Sequence, residues 1–539
     1  MAAPPSGAPL GTPVEVQVLG AVDPDSVGVI DAGQGGFPVD LWRGADRVRV
    51  ARVLSLLPRR VTSPTMRNLA RRLLLSRVRA PSGTLEGPSL LARRVSALFR
   101  MGDTESALAL LRNAPPGHSE ESLIRTEVEG HFLLNDNAGA CRQVRAQVQD
   151  RPDPYWQQAV AYCLALSGQP GKATLIADIL AERAGDVNPA FFAAMDAIGG
   201  MKNAQLDSLK DPAALHVAML RTANLQLPGD AASVRSGSLL RAIAVSPSAA
   251  FDMRLDAAER ALAVGALSPE ALREIYASAP ADPAAAQQPL TYAEQSWGPA
   301  ARALLARSVA GQSVPTAQAE ALQRGYRLGL ERGGYRPFVM ASLPQLLEIA
   351  PAGELTWFAR DAGAALFAAG RVDQAGRWYD FVRAEAARND EARAAALAMW
   401  PLAHLAGIAA DEDAAASRAA WWQAVSAEKG AAGRAQRQFA LSEALGAAVD
   451  PALWHAVLGD GAPLAVSVPS PALRHALAAA AQGGRLGEGV ALALVVLGEE
   501  GPARAGTIAV EAAVRALRAL GLEPEARALA LEAAVAGGL

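Results

Sequence analysis

A glycine followed five residues later by an alanine recurs along this chain, each time between one apolar helical stretch and the next. The pairs are Gly102/Ala107, Gly168/Ala173, Gly370/Ala375, Gly498/Ala503 and Gly521/Ala526, with Asp136/Cys141 read as a degenerate copy. From Ala107 to Cys141 to Ala173 the steps are 34 and 32 residues. A period of that size fits one helical hairpin, which cannot bury its apolar face alone and must stack on its neighbours. At 539 residues the chain is too long for one compact core, so an elongated array or several domains are expected. Alanine carries much of the 51% hydrophobic share, and aromatics reach only 5%. Alanine is the best helix former, so an all-α chain is expected.

Local signals agree with helices joined by short breaks. Ser63-Pro64 is a helix start, with serine as N-cap and proline at the first helical position. Met66, Leu69, Ala70, Leu73 and Leu74 then follow at the spacing of one apolar face. Residues 1–41 differ: they are rich in Pro, Gly and Asp, and read as an extended lead lying along the array. The Arg-rich start and first repeats are placed at 42–230, middle repeats at 231–460 and C-terminal repeats at 461–539. Gln34-Gly-Gly-Phe37 is read as a turn, because Pro38 blocks the helix that a nucleotide-binding loop requires.

The glycine-to-alanine spacing resembles the tetratricopeptide-type repeat. That family places glycine in the turn between two helices and alanine where the second helix packs closely. Tyr379, four residues after Ala375, meets the family's aromatic position; Leu111 and Ala177 stand there in other copies. The family's Trp-x-x-Leu-Gly opening and closing proline are mostly missing. The resemblance covers about a third of the chain. It implies a right-handed, TPR-like α-solenoid of stacked hairpins, and a surface that binds peptides or proteins.

The chain has two cysteines, Cys141 and Cys163, each nine residues from the turn at 150–154. At 1.5 Å rise per residue, roughly 14 Å of helix on either side puts both sulfurs at one level. A disulfide is expected there, with two buried thiols as the alternative. The bond implies an oxidising compartment such as the periplasm. The start, Met-Ala-Ala-Pro-Pro-Ser-Gly, shows no export signal, so the sequence as given reads as a mature form or as a cytosolic protein. No stretch is apolar for the about 18 residues a membrane span needs, so no membrane insertion is expected.

Residue patterns for catalysis are weak. The histidines at 118, 131, 216, 404, 455 and 475 show no metal-ligand spacing, so no metal and no cofactor are expected. Gly117-His-Ser119 lacks the closing glycine of a nucleophile elbow, and the glycine spacing at 168–174 is wrong for a phosphate loop. Glu120-Glu-Ser122 and Glu294-Gln-Ser296 are fragments of the soluble lytic transglycosylase pattern without its companion motif.

Charge is the remaining signal. Between Arg43 and Arg100 fourteen arginines face only Asp46 and Glu86, a formal +12 in a chain of net charge −3. Either an acidic partner or the acidic remainder of the chain is expected to balance them. Nucleic acid is not expected, since no recognition motif or run of aromatics accompanies the arginines. Arg67, Arg71 and Arg72, opposite the Met66–Leu74 stripe, are expected to be exposed and to bind the partner. The adjacent Trp421 and Trp422 are the other candidate anchors. The leading expectation is a non-enzymatic scaffold of the bacterial cell envelope, periplasmic, holding another envelope protein with an acidic surface. The alternatives are a cytosolic adaptor recognising a peptide tail and, less well supported, a peptidoglycan-acting enzyme.

Overall fold

The computed structural model describes residues 22–115, 120–147, 153–182, 187–201, 204–409, 414–458 and 468–539. These form 28 α-helices and a few short 3-10 turns. The only β-type pairing among them is an isolated bridge between Ile30 and Ser76. Neighbouring helices pack in pairs, as an array of helical hairpins does: Leu90–Arg100 on Thr104–Arg112, Glu121–Leu133 on Asn137–Gln147, and Pro154–Leu166 on Pro170–Ala181. Later pairs are Ala359–Ala368 on Val372–Glu385 and Thr507–Ala519 on Glu523–Ala536. Buried side chains from Val27 to Ala534 join in one continuous cluster. Residues 1–21, His118, Ser119 and the 459–467 part of the last long break lie outside the described residues.

The helix start at Ser63 is as the residues dictate. Ser63 Oγ accepts from Met66 N at 3.1 Å, and the Pro64–Leu75 helix follows. Met66, Leu69, Ala70, Leu73 and Leu74 are all buried.

The five-residue spacing has a mechanical origin. Gly102, with φ of 87°, ends one helix in the left-handed conformation, which glycine adopts without a Cβ penalty. Asp103, next in line, donates its N–H back to Leu98 O and begins the following helix. Ala107 is then one turn in, with its N–H on Asp103 O and its methyl buried against the preceding helix. The same bonds recur at Gly168/Ala173, Gly370/Ala375 and Gly521/Ala526.

Two copies need correction. In the degenerate repeat the left-handed residue is Asn135, φ 63°, and the buried small residue is Ala140, not the pair Asp136/Cys141. Asparagine tolerates this conformation because its side chain is short and polar. With that register the steps Ala107 to Ala140 to Ala173 are both 33 residues. Gly498/Ala503 is not a hairpin turn. Ala503 is exposed in a 3-10 turn, and the next helix begins at Thr507. A copy hidden from the spacing rule is Gly484/Gly489, where a Cβ on Gly489 would fall 2.5 Å from Leu520.

The array closes on itself. The Arg47–Leu56 and Pro64–Leu75 helices pack against Leu486–Leu497, and Pro64–Leu75 also packs against Glu523–Ala536. Thr62 donates its N–H to Glu499 O and its hydroxyl to Glu500 O, while Gly487 N donates to Leu41 O. The described part of the lead, 22–41, carries two short 3-10 turns and lies along the first helices. Val29 N donates to Leu75 O, Arg77 N donates to Ile30 O, and Phe37 is buried.

Candidate binding cavity and charged faces

Part of the arginine-rich segment is engaged by this closure and by the lead. Arg47 pairs with Asp23 and Asp25, Arg49 with Glu488, Arg60 with Glu499 and Glu500, and Arg72 with Glu525. Part of the positive charge is therefore met inside the chain. The expectation that Arg67, Arg71 and Arg72 are all exposed holds only for Arg71. Arg71 is exposed and pairs with Asp103 at 2.6 Å. Arg72 is half-buried, its guanidinium 4.3 Å from the Phe37 ring centre. Arg67 is half-buried, and its Nη1 donates to the carbonyls of Val61, Thr62 and Ala263 at 3.1, 2.7 and 3.0 Å. The apolar stripe of this helix is buried, as its spacing requires. Part of its opposite face is covered, by the last helix at Arg72 and by the end of Phe251–Ala263 at Arg67, which no local pattern signals.

Arg67 belongs to a wider device. The last carbonyls of a helix have no partner within the helix and carry the negative end of its dipole. Arg67 reaches Ala263 O at the end of Phe251–Ala263, Arg94 reaches Leu74 O, and Arg254 reaches Ala244 O. Arg221 does the same at Phe132 O and Arg437 at Ala533 O. The planar, five-donor guanidinium suits this task better than an ammonium. Gly265, φ 74°, makes room for Arg67: a Cβ there would sit 2.3 Å from Arg67 Nε. Arg94 is fully buried and also holds Val27 O and Ser76 O, tying the lead to the array. Burial lowers both Arg67 and Arg94 to about 10, with neighbouring Arg336 adding to the shift at Arg67, so each still carries its charge at neutral pH.

Where the two ends meet, hairpin turns converge on a cavity of about 930 Å³. The turn after Leu98, the turn at Val264–Ser268, and the turn at Ala368–Gly370 line it together with the Pro64–Leu75 and Glu523–Ala536 helices. Its walls are mostly apolar, with Met101, Leu262, Met340, Phe367 and Leu531. Arg67, Arg71, Arg336 and Arg527 bring positive charge, against Asp103, Glu523 and Glu532. The spacing pattern identified several of these turns but not their common destination.

Cys141 and Cys163 form a disulfide, with Cα atoms 5.5 Å apart, between the packed helices Asn137–Gln147 and Pro154–Leu166. Trp421 is buried and Trp422 is half-buried against the core, so the pair does not stand out as two free rings. Among the described residues no group of His, Cys, Asp and Glu is arranged to hold a metal ion, and no helix is long and apolar enough to cross a membrane. His216 is buried: its Nδ1 accepts from Ala213 N and its Nε2 bonds Gln158 Oε1, the arrangement of a neutral ring.

Exposed arginines remain on the outside of the same segment. Arg52, Arg59 and Arg100 are exposed and make no ion pair with a described residue. Burial of its stem lowers the Arg100 pKa, and the nearby positive charge of Arg59 lowers it further. Arg59 and Arg100 thus lie close enough to repel one another. No family model, no curated protein and no solved structure matches this chain.

Proposed function

We propose that this protein is a non-enzymatic scaffold of the bacterial cell envelope, exported to the periplasm, that holds an acidic partner protein. The reading takes the hairpin array as a TPR-like, right-handed solenoid. The partner meets the outer face carrying Arg52, Arg59 and Arg100. The observation that carries this is the closeness of Arg59 and Arg100, both exposed, with no carboxylate partner among the described residues. Unpaired like charge costs stability and is relieved by an oppositely charged surface. The Cys141–Cys163 disulfide supports an oxidising compartment over the cytosolic alternative.

The test is a crosslinking pull-down from native envelopes with wild type and the triple variant R52E/R59E/R100E. The scaffold reading expects one acidic protein to be recovered at low salt and lost in the variant, while the helical circular dichroism is unchanged. Equal recovery by both proteins removes this face from the function. A clearing zone on a cell-wall zymogram would replace the scaffold with an enzyme.

A further inference from the structure

The cavity holds one cation more than its own carboxylates satisfy. Arg71 pairs with Asp103 at 2.6 Å, and Arg527 with Glu523 at 2.9 Å. Glu532 is the remaining carboxylate of the lining, and it faces two guanidinium groups, Arg67 and Arg336. Its Oε1 already accepts from Thr65. Arg67 is anchored on three carbonyls. Arg336 has neither a hydrogen bond nor an ion pair among the described residues, and its Nε is sealed from solvent without a partner. It also stands in the first turn of the Tyr335–Glu348 helix, where the dipole disfavours a cation. A buried, unpaired donor of this kind costs stability unless something binds it.

We propose that the cavity binds a small amphiphilic monoanion, an acidic head group on an apolar body, with Arg336 as the ligand of the head. The charge imbalance sets the ligand at one negative charge. The walls set the rest: Leu98, Met101, Leu262, Met340 and Phe367 offer hydrocarbon and aromatic surface around the guanidinium. A volume of about 930 Å³ lies in the range of small-molecule sites, which are apolar with a few placed polar groups. A neutral lipid-like molecule leaves Arg336 unsatisfied, and a small inorganic anion leaves the apolar walls wet.

Calorimetric titration with decanoate, 1-decanol and acetate tests this on the full chain. Decanoate is expected to bind one to one, and acetate at least tenfold more weakly. R336Q is expected to weaken decanoate at least tenfold and to leave 1-decanol unchanged, with a urea midpoint no lower than wild type. M340W, which fills the apolar half, is expected to weaken decanoate and 1-decanol alike. No binding of decanoate at millimolar concentration, or equal affinity for R336Q or for M340W, overturns the proposal. A lowered urea midpoint in R336Q with unchanged decanoate affinity assigns Arg336 to the structure alone and overturns it equally.

Discussion

Glu532, in the last helix, accepts two hydrogen bonds from Thr65 in the second: one from its backbone N at 3.0 Å and one from its Oγ1 at 2.7 Å. The carboxylate sits at the N-terminus of Pro64–Leu75, where free N–H groups and the helix dipole favour an anion. One end of the chain thereby caps a helix of the other. Replacing Glu532 with alanine leaves the Thr65 N–H without its acceptor. The expected loss is about 1–3 kcal/mol, read as a lower urea midpoint, with helix content before the transition unchanged.

The three arginines of the Pro64–Leu75 helix should behave differently under charge reversal. R71E, at an exposed site, sets a carboxylate beside Asp103 and removes the bond to Ser106; solvent screening should hold its cost to about 1 kcal/mol. R72E sets a carboxylate against Glu525 and removes the contact with Phe37. R67E strips the donors from three carbonyls and puts a negative charge at a helix C-terminus. Each of the latter two should cost at least about 2 kcal/mol. Thermal melts of the three variants decide it; equal melting temperatures would show that the closure does not depend on them.

The disulfide closes a loop with a sequence separation of 22 residues. On the chain-entropy account such a loop stabilises by about 3 kcal/mol. Reduction, or replacement of both cysteines by alanine, should lower the melting temperature. Thiol titration of unreduced, denatured protein from its own cell should find no free thiol. Two free thiols there would remove the argument for export.

His216 sets a pH dependence. Burial lowers its pKa from 6.5 to about 4. In the unfolded chain it takes up a proton near pH 6.5, while the folded ring stays neutral until about pH 4. The unfolded state therefore binds more protons in this window, and stability falls as pH falls through it. The contribution is present in full above pH 6.5 and approaches a loss of about 3 kcal/mol near pH 4. Urea midpoints at pH 7.5 and 4.5 should fall further apart for wild type than for H216N. An equal difference would show that His216 titrates normally in the fold.

Local features were legible and distant ones were not. Ser63-Pro64 and the Met66–Leu74 stripe specify their helix within one turn, because capping and amphipathicity act over a few residues. The cysteines could be matched because one short break separates their helices. The glycine rule slipped by one at Asn135, where a different residue type adopts the left-handed conformation. It misread Gly498 because glycine also serves turns that start no helix. Arg72 and Glu525 are 453 residues apart. Nothing in either neighbourhood announces the other, so an arginine that closes the chain looks in sequence like one that faces solvent. Trp421 and Trp422 show the same limit: two adjacent rings on a helix name no partner until the neighbouring helices are placed.

The closure itself is the claim on which the cavity, the satisfied arginines and the reach of Glu532 all depend. Small-angle X-ray scattering of the full chain in low salt tests it most directly. A compact chain of 539 residues has a radius of gyration of about 24 Å, and the closed array should fall within a few ångströms of that value. It should expand in the double variant R72E/E532A. A wild-type radius well above that value, about 35 Å or more, and unchanged by those substitutions, would mean that the two ends do not meet.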